Sequence, residues 1–253
     1  MIGLGYLGAT HALAMAQLGH DVIGIDTDQA KVDSLNAGRV WFHEPGLQDA
    51  LANALRDGSV VFQTGFDLNA RPDLTFICVG TPQSGESGAA NTSYVFSAAE
   101  SLARGMNAEE VVVGKSTVPV GTAAALRDRM SEVAGFPVHL AWNPEFLREG
   151  TALDDSLNPD RIVIGSWDEY STQKLREVYK PILDKGAPLV EVDIPTAELV
   201  KVAANAFLAT KVSFINAMAE IAEVSGADAV ELAKAIGYDE RIGSKFLRTG
   251  IGF

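Results

Sequence analysis

The chain has 253 residues, enough to bury a substantial core, and its 47% hydrophobic and 21% charged residues are typical of a soluble globular protein. Its 20 Lys and Arg residues against 33 Asp and Glu residues give a formal net charge of −13, which argues against binding nucleic acid or an anionic membrane. No apolar run approaches the roughly 20 residues that span a bilayer, and the single cysteine excludes a disulfide framework. We therefore expect a cytoplasmic protein without a membrane or nucleic-acid partner, and we predict no metal site.

A glycine-rich loop, Gly3-Leu4-Gly5-Tyr6-Leu7-Gly8, opens the chain. A helical pattern follows it, and the next strand-like run ends in an acid, Asp26, at the spacing typical of a dinucleotide-binding fold. Glycines let the backbone approach a pyrophosphate at a helix N-terminus, and Asp26 can accept hydrogen bonds from the adenosine ribose hydroxyls. Because Asp26 would repel a 2′-phosphate and no Arg follows it, the pattern predicts NAD rather than NADP.

Strand-like runs alternate with helical segments over the first 194 residues, which predicts an α/β fold with a doubly wound, mostly parallel Rossmann-type sheet. The strand-like runs are Asp21–Asp26, Ser59–Gln63, Leu74–Val79, Glu110–Lys115, Val138–Trp142, Arg161–Gly165 and Leu189–Val192. Alanine-rich helical segments include Thr10–Leu18, Gln48–Leu55, Tyr94–Arg104 and Thr122–Val133. Cys78 lies inside one apolar run, so we interpret it as a buried core residue rather than a nucleophile.

The segment Asn143–Gly150 carries two acids, Glu145 and Glu149, directly after a strand-like run. If a helix starts at Asn143, with Asn as its N-cap and Pro in its first position, the two carboxylates share one face. Acids at the carboxyl end of a strand lie where open α/β sheets bind ligands. The alternative is that these acids only complement a helix dipole, and this segment alone leaves both interpretations open.

The alternation of strands and helices stops after Pro195. From Thr196 to about Ser225 the chain has no Gly or Pro, which predicts one helix of about 30 residues, long enough for a spine between domains or a dimer interface. Asp228 and Glu231 then form a capping box that opens a second helix. We predict two domains, 1–194 for NAD binding and 195–253 as a helical linking and dimerisation domain.

Several motifs along the whole chain together resemble the nucleotide-sugar dehydrogenase family. Besides the glycine loop and Asp26, the motifs are Glu44–Leu47, Val79–Pro82, Ser116–Thr122, Asn143–Gly150, Asn158–Gly165, the helix with Lys201 and Asn205, Arg241–Gly243 and Phe246–Phe253. Pro159-Asp160-Arg161 is more similar to the branch that uses UDP-glucose than to the branch that uses GDP-mannose. The resemblance implies NAD-dependent oxidation of UDP-glucose to UDP-glucuronate by two hydride transfers. From its length, we also expect the long helix around 196–225 to form a homodimer.

The resemblance also implies a role for individual residues. The residues implied for NAD are Gly3, Gly5, Tyr6, Leu7, Gly8, Asp26 and Lys31 at its ADP half, and Thr81, Thr117 and Glu149 at its nicotinamide half. Those implied for the sugar nucleotide are Glu145, Phe146, Leu147, Arg148, Glu149, Lys201, Asn205, Arg241, Phe246, Leu247, Arg248, Thr249 and Gly250. The implied catalytic group is Thr117 for positioning water, Glu145 as the acid–base group, and Lys201 with Asn205 at the C6 oxygen. By spacing alone, Lys201 and Asn205 would instead indicate a solvated helix face.

The family uses a catalytic cysteine in a segment that begins Gly-Phe-Gly, and the chain ends at Gly252-Phe253. We therefore expect the nucleophile and a second nucleotide-binding domain to lie outside these residues, in which case the chain alone is inactive. Two alternatives stay open: a dehydrogenase for GDP-mannose or UDP-N-acetylmannosamine, and a non-catalytic NAD-binding module.

Overall fold

The computed structural model describes residues 1–66, 70, 72–85 and 88–251. The strands are β1 (Val22–Ile25), β2 (Val60–Gln63), β3 (Leu74–Ile77), β4 (Gln83–Ser84), β5 (Ala89–Ala90), β6 (Val111–Gly114), β7 (His139–Trp142), β8 (Ile162–Ser166) and β9 (Leu189–Val192). The helices are α1 (Tyr6–Gln17), α2 (Gln29–Asn36), α3 (Leu47–Asp57), α4 (Ser93–Ala103), α5 (Thr122–Ala134), α6 (Ala152–Leu157), α7 (Glu169–Leu183), α8 (Ile194–Ser225) and α9 (Ala229–Gly237).

The main sheet runs in the order β2-β1-β3-β6-β7-β8-β9, with the first residues of the chain between β1 and β3. Ile2 makes parallel bridges to both Ile25 and Ile77, and so joins the β1–β2 pair to the five-stranded part. Adjacent strands of the main sheet are parallel except for β7 and β8, which pair antiparallel. The doubly wound, mostly parallel Rossmann-type prediction is confirmed.

The centre of the sheet is close-packed because its strands are apolar on both faces. Every residue of β6 is buried, as expected for a parallel strand covered by helices on each side. Gly114 ends this strand directly beside the buried Trp142 of β7, and a Cβ at Gly114 would overlap the Trp142 ring. This close packing fixes the ends of β6 and β7, and with them the start of the loops that follow each strand.

The chain forms two compact units, Met1–Leu199 and Val200–Phe253. The predicted long helix is confirmed as α8, which begins at Ile194 rather than Thr196 because Pro195 is tolerated in a first helical turn. Within α8 an 18-residue window has a mean hydropathy of 1.3, so by length and composition alone this helix could cross a bilayer. This corrects the expectation that no segment approaches that length. The predicted Asp228 cap is also found, with the amides of Val230 and Glu231 donating to Asp228 Oδ1.

Candidate functional site

The glycine loop leaves the N-terminus of α1 open. Gly3 has a φ of +88°, which favours glycine, and a Cβ there would lie 2.9 Å from the backbone nitrogen of Val79. Gly5 is the N-cap of α1 and has no side chain to cap the helix, and among the described residues no non-neighbouring atom lies within 4 Å of where its Cβ would be. An uncapped helix N-terminus with free space in front of it suits a pyrophosphate. These residues therefore fit the phosphates of NAD.

Asp26, at the end of β1, links the glycine loop to the neighbouring turn. The amide of Leu4 donates to Asp26 Oδ2 at 2.7 Å, and the amide of Asp28 donates to Asp26 Oδ1 at 2.9 Å. Lys31 Nζ lies 3.8 Å from Asp26 Oδ2. A carboxylate has about four lone-pair positions, so Asp26 can hold this loop and still accept from ribose hydroxyls. Its position fits the predicted adenosine ribose contact.

Glu44 joins the glycine loop to the segment Asn143–Gly150, called the acidic loop, by hydrogen bonds. The Tyr6 hydroxyl donates to Glu44 Oε2 at 2.5 Å, and the Gly150 amide donates to the same oxygen at 3.0 Å. The Gly150 amide also lies 3.3 Å from the Tyr6 hydroxyl. Burial and the bond to Glu44 raise the Tyr6 pKa well above its ordinary value, so this hydroxyl remains a donor. Two segments that are distant in sequence therefore meet at one edge of the sheet.

The predicted helix at Asn143 is wrong, because the Asn143 side chain has other partners. Its Oδ1 accepts from Lys115 Nζ at 2.8 Å and from the Tyr179 hydroxyl at 2.6 Å, and its Nδ2 donates to the Val163 carbonyl at 2.7 Å. A side chain held by Lys115 after β6, by β8 and by α7 cannot cap a helix. Residues 143–148 form a loop, and helix α6 begins only at Ala152.

Carboxylates satisfy the backbone of this loop in place of helical hydrogen bonds. The Leu147 amide donates to Glu145 Oε2 at 2.6 Å, and the Arg148 amide donates to Asp155 Oδ2 at 2.8 Å. Glu145 is half-buried and Glu149 is exposed. The two acids therefore lie on one loop, but they do not share a helix face as the spacing predicted.

Arg148 is bound within the chain by Asp155. Its guanidinium forms an ion pair with the buried Asp155 carboxylate, which also accepts from the Thr151 hydroxyl at 3.1 Å. Burial by itself would raise the Asp155 pKa, but the hydrogen bonds from Arg148 and Thr151 lower it. The guanidinium predicted to bind substrate thus shapes the acidic loop. Phe146, also predicted to bind substrate, has its ring centroid 3.7 Å from the Arg161 guanidinium.

The loop that carries Thr117 is held at both of its ends. Thr81 Oγ1 donates to the Thr117 carbonyl at 2.7 Å, so two residues predicted to lie along the nicotinamide are in contact. At the other end, the buried Glu198 carboxylate accepts from the amides of Gly121 and Ala123, each at 2.7 Å. Glu198 therefore caps α5 and holds the end of the loop.

Cys78 is buried in the core of the first unit. Burial raises the pKa of its thiol to about 11, so the thiol is protonated near neutral pH. A protonated, inaccessible sulfur is a poor nucleophile, which agrees with the interpretation of Cys78 as a core residue.

In the second unit the predicted site residues differ in exposure. Lys201 and Leu247 are buried, whereas Asn205, Arg248, Thr249 and Gly250 are exposed. The Arg241 side chain is 89% exposed, and its guanidinium pairs with Asp239 at 2.6 Å. Phe246 has a φ of 63°, a left-handed conformation that bulky residues rarely adopt.

The end of this segment is held by Asn216 of α8. The Asn216 side chain donates to the Gly250 carbonyl at 2.7 Å and accepts from the Gly250 amide at 2.9 Å. Asn216 was not among the predicted site residues, and neither were Asp155, Lys115 or Glu198. Asp155 and Asn216 contact predicted site residues directly, whereas Lys115 and Glu198 hold neighbouring loop residues, Asn143 and Gly121.

Comparison with known proteins identifies the family. Residues 1–183 match the UDP-glucose/GDP-mannose dehydrogenase family, NAD binding domain, and residues 195–253 match the central domain of the same family. The UDP-glucose 6-dehydrogenase YwqF of Bacillus subtilis is 42% identical over 256 residues, which cover 100% of this chain and 57% of that protein. The UDP-glucose 6-dehydrogenase of Rhizobium meliloti is also 42% identical, with 59% of its length covered. The chain thus spans somewhat more than half the length of these relatives.

Solved structures agree with this assignment. A UDP-glucose dehydrogenase from Pyrobaculum islandicum superimposes with a TM-score of 0.91 at 42% identity, covering 100% of this chain and 59% of the other. A ternary complex of GDP-mannose dehydrogenase from Pseudomonas aeruginosa gives a TM-score of 0.89 at 32% identity, covering 98% and 59%. The chain therefore belongs to the UDP-glucose/GDP-mannose dehydrogenase family, and its cofactor is NAD.

Proposed function

We propose that the complete protein oxidises the C6 alcohol of UDP-glucose to UDP-glucuronate. The observation that carries this proposal is the hydrogen bonding of the acidic loop to the NAD-binding loop, with the Gly150 amide 3.0 Å from Glu44 Oε2 and 3.3 Å from the Tyr6 hydroxyl. The loop that carries Glu145 and Glu149 is thus bonded to the loop that would hold the cofactor, which supports the proposal. The names of the relatives at 42% identity support UDP-glucose as the sugar nucleotide.

In this proposal the first unit binds NAD and supplies the acid–base group. Bound NAD supplies the hydride acceptor. The N-terminus of α1 would hold the pyrophosphate, Asp26 the adenosine ribose, and Thr81 with Thr117 the nicotinamide half. Glu145 would act as the acid–base group, because its bond from the Leu147 amide orients the carboxylate, as a general base requires.

Lys201 and Asn205 would act on the C6 oxygen of the sugar, as the family resemblance implies. An ammonium group stabilises an oxygen on which negative charge develops, and a buried ammonium does so more strongly than one in water. Lys201 is only 8% exposed. Arg241 and the loop 246–250 would bind the nucleotide diphosphate and base.

The test is NADH formation by the complete gene product with UDP-glucose, GDP-mannose and UDP-N-acetylmannosamine, followed by absorbance. We expect UDP-glucose to have the highest kcat/KM and to yield two NADH per sugar oxidised. Glu145→Gln should lower turnover while leaving the Kd for NAD unchanged. A preference for another sugar would contradict the substrate, and NAD binding without turnover of any sugar would favour a non-catalytic module.

We also propose that α8 pairs with α8 of a second copy of the chain. Phe207, Phe214 and Ile221 are 66%, 49% and 55% exposed and recur every seven residues, so they form one apolar stripe. Only 6% of the apolar window of α8 is buried within the chain, and such a helix needs a partner to cover it. A second copy supplies an identical stripe.

Sedimentation velocity tests this pairing. We expect a dimer for the wild type and a monomer for Phe207→Glu/Phe214→Glu. The matched control, Gln29→Glu/Gln173→Glu, adds the same two charges at exposed positions on other helices and should stay dimeric. A wild-type monomer that binds lipid vesicles would contradict the proposal and favour a membrane as the partner.

A further inference from the structure

Three aromatic rings form a row that starts at the glycine loop. The Tyr6 ring centroid lies 4.9 Å from that of Phe42, and the Phe42 centroid lies 4.8 Å from that of Trp41 in an edge-to-face arrangement. Tyr6 is the first residue of α1, whose N-terminus fits the pyrophosphate. The row therefore leads away from the pyrophosphate position, and Trp41 is its far end.

The far end of the row lies beside the acid that fits the adenosine ribose. Lys31 Nζ is 5.4 Å from the centroid of the Trp41 ring and 3.8 Å from Asp26 Oδ2. A single ammonium group thus contacts both the indole and the carboxylate. In a dinucleotide the adenine is attached directly to the ribose, so the Trp41 ring lies within reach of the adenine.

The Trp41 side chain also has surface available for a ligand. Trp41 is 46% exposed, whereas Phe42 beside it is half-buried and Glu44 is buried. Aromatic rings stack readily on nucleobases because every base has a π-face. Trp41 belongs neither to the glycine motif nor to any of the family motifs.

We propose that Trp41 forms the wall on which the adenine ring of NAD stacks, with Lys31 joining it to the ribose site. The inference depends on NAD as the cofactor and is independent of which sugar is oxidised. It assigns to Trp41 affinity for the adenosine half only, because the ring is at the ribose end of the aromatic row.

Calorimetric titration with NAD and with its separate halves tests the proposal. ADP-ribose contains the adenine, and nicotinamide mononucleotide does not. Trp41→Ala should raise the Kd for NAD and for ADP-ribose by the same factor, about five- to tenfold. This range is common to the values for aromatic pairs and for base–aromatic stacking. Trp41→Phe should retain most of the affinity, and neither variant should change binding of nicotinamide mononucleotide.

The chain offers a matched control in Trp167, which is 41% exposed and packs on the Arg127 guanidinium at 4.0 Å. Trp167→Ala should bind all three ligands as the wild type does. Circular dichroism of each variant shows whether it is folded, so that a lost contact can be told apart from unfolding. Trp41→Phe is the milder change if Trp41→Ala does not fold. Wild-type affinity for ADP-ribose in folded Trp41→Ala, or an equal loss in Trp167→Ala, would overturn the proposal. A wild-type protein that binds no ADP-ribose would overturn the cofactor assignment together with it.

Fluorescence gives a second readout that is independent of affinity. The chain has three tryptophans, and Trp142 is 1% exposed, so in Trp167→Phe the exposed indole is Trp41. ADP-ribose should quench the emission of Trp167→Phe, and it should leave the emission of Trp41→Phe unchanged. Quenching of Trp41→Phe with no effect on Trp167→Phe would contradict the assignment.

Discussion

The acidic loop of the first unit and the segment 239–250 of the second unit both contain residues predicted to bind the sugar nucleotide, but the chain holds them differently. In the acidic loop, buried groups from other elements bind the backbone and side chains, as Asp155 does for Arg148 and Lys115 does for Asn143. In the segment 239–250, the Arg241 side chain is 89% exposed and pairs with a residue two positions away.

This difference indicates two ways of preparing a site. Residues fixed by buried partners are positioned when the chain folds, so the entropy lost in ordering them is already included in the folding free energy. Exposed side chains keep their rotamer freedom and lose it only when a ligand or a second chain binds. Removing a buried partner such as Asp155 in the first region should therefore change stability, whereas removing an exposed side chain such as Arg241 in the second should change binding or turnover.

The largest expected effect is on turnover, and it concerns Lys201, a buried residue of the second unit. Lys201→Ala should lower kcat by 10²–10³, or about 2.7–4 kcal/mol, because in the proposed site the C6 oxygen would lose a charged donor in the transition state. The Kd for NAD should barely change. Steady-state kinetics of the complete protein with UDP-glucose measure this, with Lys234→Ala as an exposed control in the same unit.

Asn205→Ala should act in the same direction, and the double variant should be less than additive, since neighbours that serve one oxygen are coupled. Near-normal turnover in Lys201→Ala would reject the site assignment and leave Lys201 as a structural residue.

The next largest effect is on stability, in the first region. Asp155→Ala should lower the free energy of unfolding by about 1–3 kcal/mol, because the Arg148 amide loses its acceptor. Asp154→Ala, an exposed neighbour on the same helix, should stay within about 0.5 kcal/mol of wild type. Urea denaturation measures both, and equal effects would show that burial does not distinguish the two acids.

The effect of Asp155 should also depend on pH. Folding lowers the pKa of Asp155, so its contribution is fully present above the unfolded carboxyl pKa of about 3.9 and is lost as pH falls through the lower folded value. The difference in stability between wild type and Asp155→Ala should therefore be constant near neutral pH and shrink below about pH 4. A constant difference down to strong acid would mean that the ionised form is not what stabilises the loop.

A smaller effect is expected on the choice of cofactor. The wild type should bind NAD more tightly than NADP, because an Asp26 carboxylate at its predicted ribose position would repel a 2′-phosphate. Asp26→Asn keeps an acceptor for the Leu4 amide but removes the charge, so the preference should fall by about tenfold, or about 1.4 kcal/mol. Calorimetry with both cofactors gives the ratio. Equal wild-type affinities would show that Asp26 does not face the ribose.

The smallest effect is expected at Phe246, whose left-handed backbone is unfavourable for any residue with a Cβ. Phe246→Gly should be more stable than Phe246→Ala by about 1 kcal/mol, since both remove the ring but only glycine relieves the backbone. Thermal unfolding of the pair is the measurement. If alanine is as stable as glycine, the conformation is not strained in solution.

Features of the fold could be predicted from the sequence when they depend on residues close together in the chain, and not when they depend on contacts between residues far apart in sequence. The strands of the main sheet were predicted because apolar runs such as the one around Leu74–Ile77 are local signals. The antiparallel pairing of β7 with β8 was not, because alternating runs do not encode strand direction. The helix at Asn143 was wrong because Lys115 and Tyr179 lie 28 and 36 residues away in sequence. The local capping rule could not include them.

The candidate site shows the same limit. The family motifs supplied the positions of Asp26, Thr117 and Glu145, but not the contacts that hold them. Glu44 belongs to a motif that was recognised, yet its bond to Tyr6 joins residues 38 positions apart and became visible only in the fold. Which of the predicted residues touch the sugar remains a prediction.

The bond between Asp26 and the Leu4 amide has a consequence for how cofactor preference could evolve. The carboxylate predicted to select NAD is also an acceptor that folds the glycine loop. A lineage that changed Asp26 to Ala or Gly to admit a 2′-phosphate would lose the anchor of that loop in the same step. Asparagine keeps an acceptor in place, so the accessible route toward NADP passes through Asn before any positively charged residue is added nearby. Redesign of this chain for NADP should follow the same order.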